Sequence, residues 1–430
     1  EMSASLVGSE MCIRDRPYTG SVPRVHALTT SCAHMGKESK MSIPDLETYL
    51  PKVISWRRDL HMHPELGLQE VRTSNLIADL LTKFGLDVQR NFAGTAVLGT
   101  LHTNKPGKTV VLRADMDALP IQDAKDVPYR SQISGVCHAC GHDAHTANLL
   151  GVANYISDHR TEFCGTIKFL FQPAEELLEG AKLVCQSGVL DGTDYILGQH
   201  AVLDVDVGQV QVCYGPSNGG GDEFTLRLHG VGCHGARPHT GKDPILLAAK
   251  VIEGFQQIIS RELDPLKAAV ISVCSVQAGQ HESKNVVPQE AVLAGTVRTL
   301  EEDVRTYVLT RMEEIVAGLC SASRCSYTLE HVTKVPPLTS DQQLTQLVEN
   351  TAVELVGREN VLYRPAPTMG VEDFSWYTRN YNACMFYFGA RNVEKGIITR
   401  GHNPKFDIDE ECFRVAMPMF ILLSKRLMLD

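Results

Sequence analysis

The stretch from Cys137 to His145 carries the residue types best suited to chemistry. Its letters are CHACGHDAH, with two cysteines and three histidines around a glycine at which the backbone can turn tightly. Thiolate and imidazole are the ligands that zinc and similar borderline metals prefer. The spacing therefore predicts a metal site in this loop.

Carboxylates and further imidazoles for such a site follow along the chain. Glu175 and Glu176 come after a proline that ends the apolar run at 167–171, and His200 and His402 stand in the segments LGQH and GHNP. Neighbouring side chains of an extended segment point to opposite sides. One glutamate can therefore bind a metal ion while the other stays free for proton transfer.

A redox role for Cys137 and Cys140 is the simplest alternative, because a Cys-x-x-Cys pair also forms dithiol centres. A dithiol does not require the adjacent Gly-His-Asp-x-His pattern, so the metal site is the favoured interpretation. A zinc ribbon needs a second such pair, and the sequence has none. His200 and His402, taken alone, fit satisfied polar histidines as well as ligands.

Composition limits the classes of function. The chain has 430 residues, 43% hydrophobic and 21% charged, with a formal net charge of -10. It exceeds what one hydrophobic core usually organises, which predicts two domains. The acidic balance argues against nucleic-acid binding, and no apolar run is long enough for a membrane span. The thirteen cysteines are scattered along the chain, which fits reduced thiols and therefore predicts a cytoplasmic protein.

Residues 1–40 are expected to be a non-native or disordered leader.

The apolar spacing predicts alternating elements over most of the chain, an α/β fold. Its catalytic domain is expected at 41–217 and 333–430, with a mostly parallel sheet flanked by helices. Such sheets bind ligands beyond the C-terminal ends of their strands. A smaller α+β insert is expected at 218–332, with two helices on one face of an antiparallel sheet. The glycine-rich stretch at 216–221 is interpreted as the hinge between them.

Seven motifs, in order, resemble those of the aminoacylase/carboxypeptidase-type metallohydrolases. The match covers residues 45–425 and is closest to the amidohydrolase branch, which includes hippurate hydrolase and the plant indole-acetyl-amino-acid hydrolases. The motifs are WRRDLHMHPELG at 56–67, LRADMDALP at 112–120, HACGHDAH at 138–145, FQPAEE at 171–176, GVGCHGARPH at 230–239, NVVP at 285–288 and GHNP at 401–404.

The resemblance implies a site for two divalent ions, manganese or zinc. It assigns Glu175 as the catalytic carboxylate and implies the metal ligands Cys140, His142, Glu176, His200 and His402. His234 in the insert would reach the active site of a partner subunit, so the insert would be a lid and the surface of a homodimer. Asn285 and Arg298 would bind the substrate carboxylate, and Asp117 would orient a ligand.

The function that this resemblance implies is hydrolysis of small N-acyl amino acids, such as N-acetyl, N-benzoyl or indole-acetyl conjugates, by metal-activated water. The products would be a carboxylic acid and a free amino acid. Two alternatives remain open: a dipeptidase or carboxypeptidase with the same metals, and an inactive binding protein on this scaffold. Neither nucleic acid nor a membrane is expected as a partner.

Overall fold

The structure is a computed structural model that describes residues 43–429, so the leader expected at 1–40 lies outside the described residues. The helices are α1 (Leu46–Met62), α2 (Val71–Lys83), α3 (His142–Asp158), α4 (Gly180–Gln186), α5 (Pro244–Gln257), α6 (Glu302–Ser323), α7 (Gln342–Val356), α8 (Ser375–Asn380) and α9 (Phe413–Leu427). The strands are β1 (Asp87–Arg90), β2 (Val97–His102), β3 (Thr109–Asp115), β4 (Thr166–Gln172), β5 (Tyr195–Asp206), β6 (Val210–Val212), β7 (Pro216–Asn218), β8 (Gly220–His229), β9 (Cys233–His234), β10 (Ala269–Ala278), β11 (Val286–Val287), β12 (Glu290–Thr299), β13 (Ser326–Val335), β14 (Leu338–Thr339), β15 (Val361–Tyr363) and β16 (Ala383–Arg391).

An eight-stranded mixed sheet forms the larger layer, in the order β1-β2-β4-β3-β5-β16-β6-β15. The four strands at its centre, β4, β3, β5 and β16, are mutually parallel, and β1 and β2 add antiparallel pairs at one edge. Alternate residues of β3 enter different cores, with Val110 and Leu112 in one and Val111 in the other. Both faces of the sheet are therefore covered by helices, which confirms the predicted α/β class.

Helix α3 is the element that fixes the Cys/His loop to this sheet. All of its residues except the last are buried, because it lies between the sheet and the helices α1 and α9. Its first residue is His142, preceded by Gly141 with a φ of 96°, a conformation that favours glycine. The loop consequently turns directly into a rigid helix.

The smaller sheet is antiparallel, in the order β10-β12-β8-β13. Helices α5 and α6 pack on it and share with it a separate hydrophobic core that includes Phe224, Val251 and Met312. This is the arrangement expected for the insert. Strand β13 runs to Val335, beyond the expected boundary at 332. The domain boundaries themselves stay a prediction.

The stretch at 216–221, expected to be the hinge, contains β7 and the start of β8, and the Gly219 backbone N–H donates to the carbonyl oxygens of Thr368 and Gly370. Glycine serves close backbone approach as well as flexibility, so the hinge stays a prediction. No helix within 43–429 is long and apolar enough to cross a membrane.

Gly151 in α3 tests how tightly this helix is packed. A Cβ at Gly151 would lie 2.5 Å from Val53 Cγ2 and 3.0 Å from Met417 Cε, so G151A should lower the free energy of unfolding by about 1–3 kcal/mol. The control is G318A in α6, where a Cβ meets nothing within 4 Å and helix propensity should add up to about 1 kcal/mol. Equal effects in calorimetric unfolding would contradict this packing.

Candidate metal centre

The candidate ligands lie at the C-terminal edge of the central strands. Glu175 and Glu176 follow β4, His200 lies within β5, and Cys140 and His142 flank the turn into α3. His402 comes from the loop after β16, and its backbone N–H donates to the Ala139 carbonyl at 2.7 Å. Segments far apart in the sequence therefore meet at one place.

Several groups of ligand atoms form within this edge, among them one of His142, Glu175 and Glu176, and two of the groups share Cys140. One consists of Cys140, His142 and His200, the other of Cys140, Glu176 and His402, and in each the ligand atoms lie within 4.8 Å of one another. Cys140 Sγ is 3.6 Å from His200 Nε2, and His402 Nε2 is 3.5 Å from Glu176 Oε1. A thiolate shared between two groups suits two neighbouring cations.

Buried ligand atoms without a hydrogen-bond partner also indicate that this donor set fits divalent cations. His142 Nε2 and Glu176 Oε1 are buried and have no hydrogen-bond partner among the described residues. A buried polar atom without a partner costs free energy, and a cation would satisfy both. Burial also raises the pKa of the Cys140 thiol and of Glu176, so a cation is needed to hold both as anions. Mixed sulfur, nitrogen and oxygen donors suit zinc or manganese.

Asp117 contacts two of the candidate ligands. Its Oδ1 lies 3.2 Å from His142 Nδ1, and its Oδ2 accepts a hydrogen bond from the Glu176 backbone N–H at 2.9 Å. This geometry directs His142 Nε2 towards Cys140. The orienting role expected for Asp117 is compatible with these contacts.

His145, in contrast, has both ring nitrogens engaged by protein atoms. Nδ1 lies 2.6 Å from Asp115 Oδ1, and Nε2 accepts a hydrogen bond from the Ala201 backbone N–H at 2.9 Å. Those contacts fix the neutral tautomer with the proton on Nδ1. His145 therefore links β3, α3 and β5 and does not supply a free ligand atom.

Glu175 is the carboxylate left beside the two groups. Its Oε2 lies 3.9 Å from His142 Nε2, and its Oε1 accepts a long hydrogen bond of 3.4 Å from the Asp373 backbone N–H. Burial raises the pKa of Glu175 well above its usual range, and the charges of Glu372 and Asp373 add to the shift. The group is thus placed to take up and release a proton.

A buried arginine compensates the acidic side of the centre. Arg113 Nη1 donates to Asp115 at 2.6 Å, and its Nη2 donates to Asp373 at 2.9 Å. Burial raises the pKa of Asp373 to about 8 although Arg113 opposes that shift. Gln172 also donates to both Asp373 oxygens. Arg113 thereby holds together the ends of β3, β4 and the segment before α8.

A second buried arginine, Arg57, binds the carboxylate of Asp143, which directly follows His142 of the Cys/His loop. Arg57 Nε donates to Asp143 at 2.8 Å, and its Nη2 donates to Asp407 at 2.7 Å. His61 Nδ1 lies 2.7 Å from the same Asp143 oxygen, and Lys125 Nζ lies 2.8 Å from His61 Nε2. Burial alone would raise the pKa of Asp143, but the charges of Arg57 and His61 outweigh burial and hold that pKa well below its usual range. The network ties α1 to the residues on both sides of the centre.

A cavity of about 460 Å³ opens at the centre. Candidate ligands and Glu175 line one part of it, and Arg364, Asn218, Tyr387 and Glu372 are among the residues that line the rest. Phe374 and Phe388 are fully buried and do not line it.

Three of the expected site residues lie away from this cavity in the single chain. His234 is exposed, with its Nδ1 accepting a hydrogen bond from the Ala236 backbone N–H at 3.1 Å, and Asn285 is also exposed. Arg298 is half-buried in β12, and its Nη1 donates to the Val297 carbonyl. None of the three lines the cavity.

Several residues of the site were missed by the sequence reasoning. The motifs contained Arg57, Arg113 and Asp143, but no sequence signal paired an arginine with a particular carboxylate. Arg364 lies outside every motif. The one usable signal was an arginine placed in an otherwise apolar strand, as Arg113 is in LRAD, because a buried arginine requires acidic partners.

Comparisons with known proteins identify the family of the chain. The model of the family "Peptidase family M20/M25/M40" matches residues 111–424. An N-acyl-L-amino acid amidohydrolase of Geobacillus stearothermophilus is 43% identical over 68% of this chain and 78% of its own length. The thermostable carboxypeptidase 2 of Saccharolobus solfataricus is 35% identical over 90% of this chain and 97% of its own.

A crystal structure is also similar over most of the chain. It is that of the Bacillus subtilis YXEP protein, described as a dinuclear metal binding peptidase from the M20 family. The TM-score is 0.75 with 31% identity, covering 89% of this chain and 99% of that chain.

The Arg57 network should contribute strongly to stability. R57M leaves Asp143 buried without its arginine and should lower the free energy of unfolding by about 3–5 kcal/mol. The matched control is R58M, since Arg58 pairs with Glu410 at the surface and is worth about 0–1 kcal/mol. Urea denaturation measures both, and a similar small loss for the two variants would contradict the role of Arg57.

Proposed function

The chain belongs to peptidase family M20/M25/M40, and from that premise we propose that it hydrolyses the amide bond of N-acyl amino acids. The products would be a carboxylic acid and a free amino acid. As a member of this family with amidohydrolase and carboxypeptidase relatives, the protein is a hydrolase that acts on amide bonds.

The observation that carries the proposal is the convergence of candidate ligand atoms beside the buried carboxylate of Glu175. Cys140 is common to two groups of ligand atoms, and Glu175 lies beside them at the wall of the cavity. A binding protein on an inactive scaffold would have no need for a buried acid in this place. The filled ligand positions and Glu175 therefore favour an enzyme.

We assign the cation ligands to Cys140, His142, Glu176, His200 and His402. Two divalent cations, manganese or zinc, would when bound polarise the amide carbonyl and lower the pKa of water. The cavity beside these residues gives the scissile amide a place next to Glu175.

Glu175 moves the proton in this reaction. Its carboxylate removes a proton from the attacking water as the oxygen forms a bond to the carbonyl carbon. It then delivers that proton to the nitrogen as the carbon–nitrogen bond breaks, which makes the free amine a good leaving group. General acid and base catalysis of this kind contributes about 10² to 10⁴ in rate. The position of Glu175 supports the role, because its carboxylate lines the cavity and its Oε2 lies 3.9 Å from His142 Nε2, beside the candidate ligands.

The insert contributes from a second subunit in this proposal. His234 is exposed and away from the cavity of its own chain. We assign it to the oxyanion of a partner subunit's substrate, which makes the enzyme a homodimer through the insert. The free cysteines of the described residues favour a reducing compartment, the cytoplasm.

Peptide substrates are the second candidate, because one relative over 90% of the chain is a carboxypeptidase. N-acetyl, N-benzoyl and indole-acetyl amino acids should be cleaved with a higher kcat/KM than dipeptides of the same amino acid. Measurement of released amino acid across this panel, with manganese or zinc supplied, decides between the two. Faster cleavage of dipeptides would replace the proposal by the peptidase.

Substitution of Glu175 separates proton transfer from cation binding. E175Q keeps the size of the side chain but loses the basic carboxylate, so kcat should fall by about 10² or more while two cations per chain remain. Elemental analysis and a hydrolysis assay measure both quantities. The control is E179Q, at an exposed position nearby, which should leave both unchanged. Retained turnover in E175Q would remove Glu175 from this role.

A further inference from the structure

One arginine in the cavity has no ionic partner among residues 43–429 and no role in the chemistry described so far. Arg364 is the only arginine or lysine among the described residues that line the cavity. Within residues 43–429 its guanidinium forms no salt bridge at 4.0 Å or less, and its side-chain contacts are with Asn218 and the Tyr387 ring. By comparison, Arg57 and Arg113 in the same region each contact at least two carboxylates.

Arg364 is held in a defined position. It follows β15, and its backbone N–H donates to the Val212 carbonyl at 2.9 Å, which continues the pairing of β15 with β6. Its guanidinium carbon lies 4.9 Å from the centre of the Tyr387 ring, and Tyr387 is only 5% exposed. An arginine stacked on an aromatic face keeps its N–H donors free at the edge of the guanidinium plane.

Asn218 completes the arrangement. Its Oδ1 accepts a hydrogen bond from the Tyr387 hydroxyl at 3.2 Å and a longer one from Arg364 Nη1 at 3.4 Å. Because Oδ1 is used in this way, the amide Nδ2 is oriented as a donor, and it has no hydrogen bond to another described residue. Arg364 and Asn218 both line the cavity. Together they offer donors only, with one full positive charge.

The residues that line the cavity indicate which substrate group these donors would bind. The part of the cavity lined by Glu175 and the candidate cation ligands is assigned to the scissile amide, which leaves the part lined by Arg364 and Asn218 for another group of the substrate. Planar guanidinium donors match the two oxygens of a carboxylate. A substrate with a carboxylate is therefore oriented with that group towards Arg364 and its amide towards Glu175.

We propose that Arg364 and Asn218 form a carboxylate-binding subsite that makes the enzyme selective for anionic N-acyl amino acids. The proposal rests on the amide hydrolysis proposed above. The carboxylate is either the α-carboxylate of the amino acid or the terminal carboxylate of a dicarboxylic acyl group. The subsite differs from the positions expected for Asn285 and Arg298, which lie outside the cavity of the same chain.

Kinetics of R364M on charged and neutral substrate pairs test the subsite. For hippurate, R364M should raise KM by about 10- to 100-fold with little change in kcat, since a hydrogen bond to a charged group is lost. The neutral hippuramide should have a high KM with the wild type and no further rise with R364M. R364K, which keeps the charge but loses the planar fork, should lie between. The control is K405M, an exposed position outside the cavity with the same loss of charge.

A second pair, N-succinyl and N-acetyl amino acid amides, distinguishes the source of the carboxylate. Preference for succinyl that disappears in R364M assigns the subsite to the acyl group, and a loss confined to free α-carboxylates assigns it to the amino acid. Equal losses on charged and neutral substrates, or an unchanged KM for every carboxylate, would overturn the subsite and leave Arg364 a structural residue.

Binding keeps this test separate from the proposed hydrolysis. Calorimetric titration of cation-loaded E175Q with hippurate should give a dissociation constant about 10- to 100-fold weaker when R364M is added. If the wild type cleaves no N-acyl amino acid, the proposed function fails, while an effect of R364M on hippurate binding still supports the subsite. Unchanged binding overturns the subsite even if hydrolysis is observed.

Discussion

Buried charge of one sign has to be compensated, and the structure is built around that requirement. Cys140, Glu175, Glu176, Glu372 and Asp373 lie close together at one edge of the sheet, largely out of water. Isolated buried anions cost several kcal/mol each. Arg113 compensates the Asp373 side, whereas nothing among the described residues compensates Cys140 and Glu176 except His142 and His402. Two divalent cations bound there, as proposed, would supply the charge that this part of the site lacks.

The same requirement explains the scaffold around the centre. The Arg57 network holds Asp143, directly after His142, against α1 and the segment after His402. Arg113 fixes the strand ends that carry Asp115 and the approach to Glu175. Each arginine bridges segments far apart in the sequence. The ion pairs of these arginines therefore position the segments that carry the candidate ligands. The geometry of the candidate site and the stability of the fold thus share the same ion pairs.

The sequence predicted the cluster of candidate ligands better than the hydrogen bonds of the arginines around it. Cys140, His142, Glu176, His200 and His402 are residue types rarely grouped without a metal, so their spacing was informative. The hydrogen bonds of Arg57 to Asp407 and of Arg364 to Asn218 span long stretches of chain and leave no local pattern. The apolar spacing predicted alternating helices and strands, and the structure has them over most of the described chain. The continuous apolar run of β16 was missed because a strand buried on both faces has no alternation. His234 and Asn285 are exposed and lie away from the cavity, so the roles expected for them stay predictions.

The most direct test of the account is where cations bind. Crystals of the manganese-loaded protein, measured by anomalous diffraction, locate each ion without reference to activity. The account predicts two peaks per chain, one contacting Cys140, His142 and His200 and the other contacting Cys140, Glu176 and His402, with Glu175 bound to neither. A single peak, or peaks that leave Cys140 without contact, would contradict it.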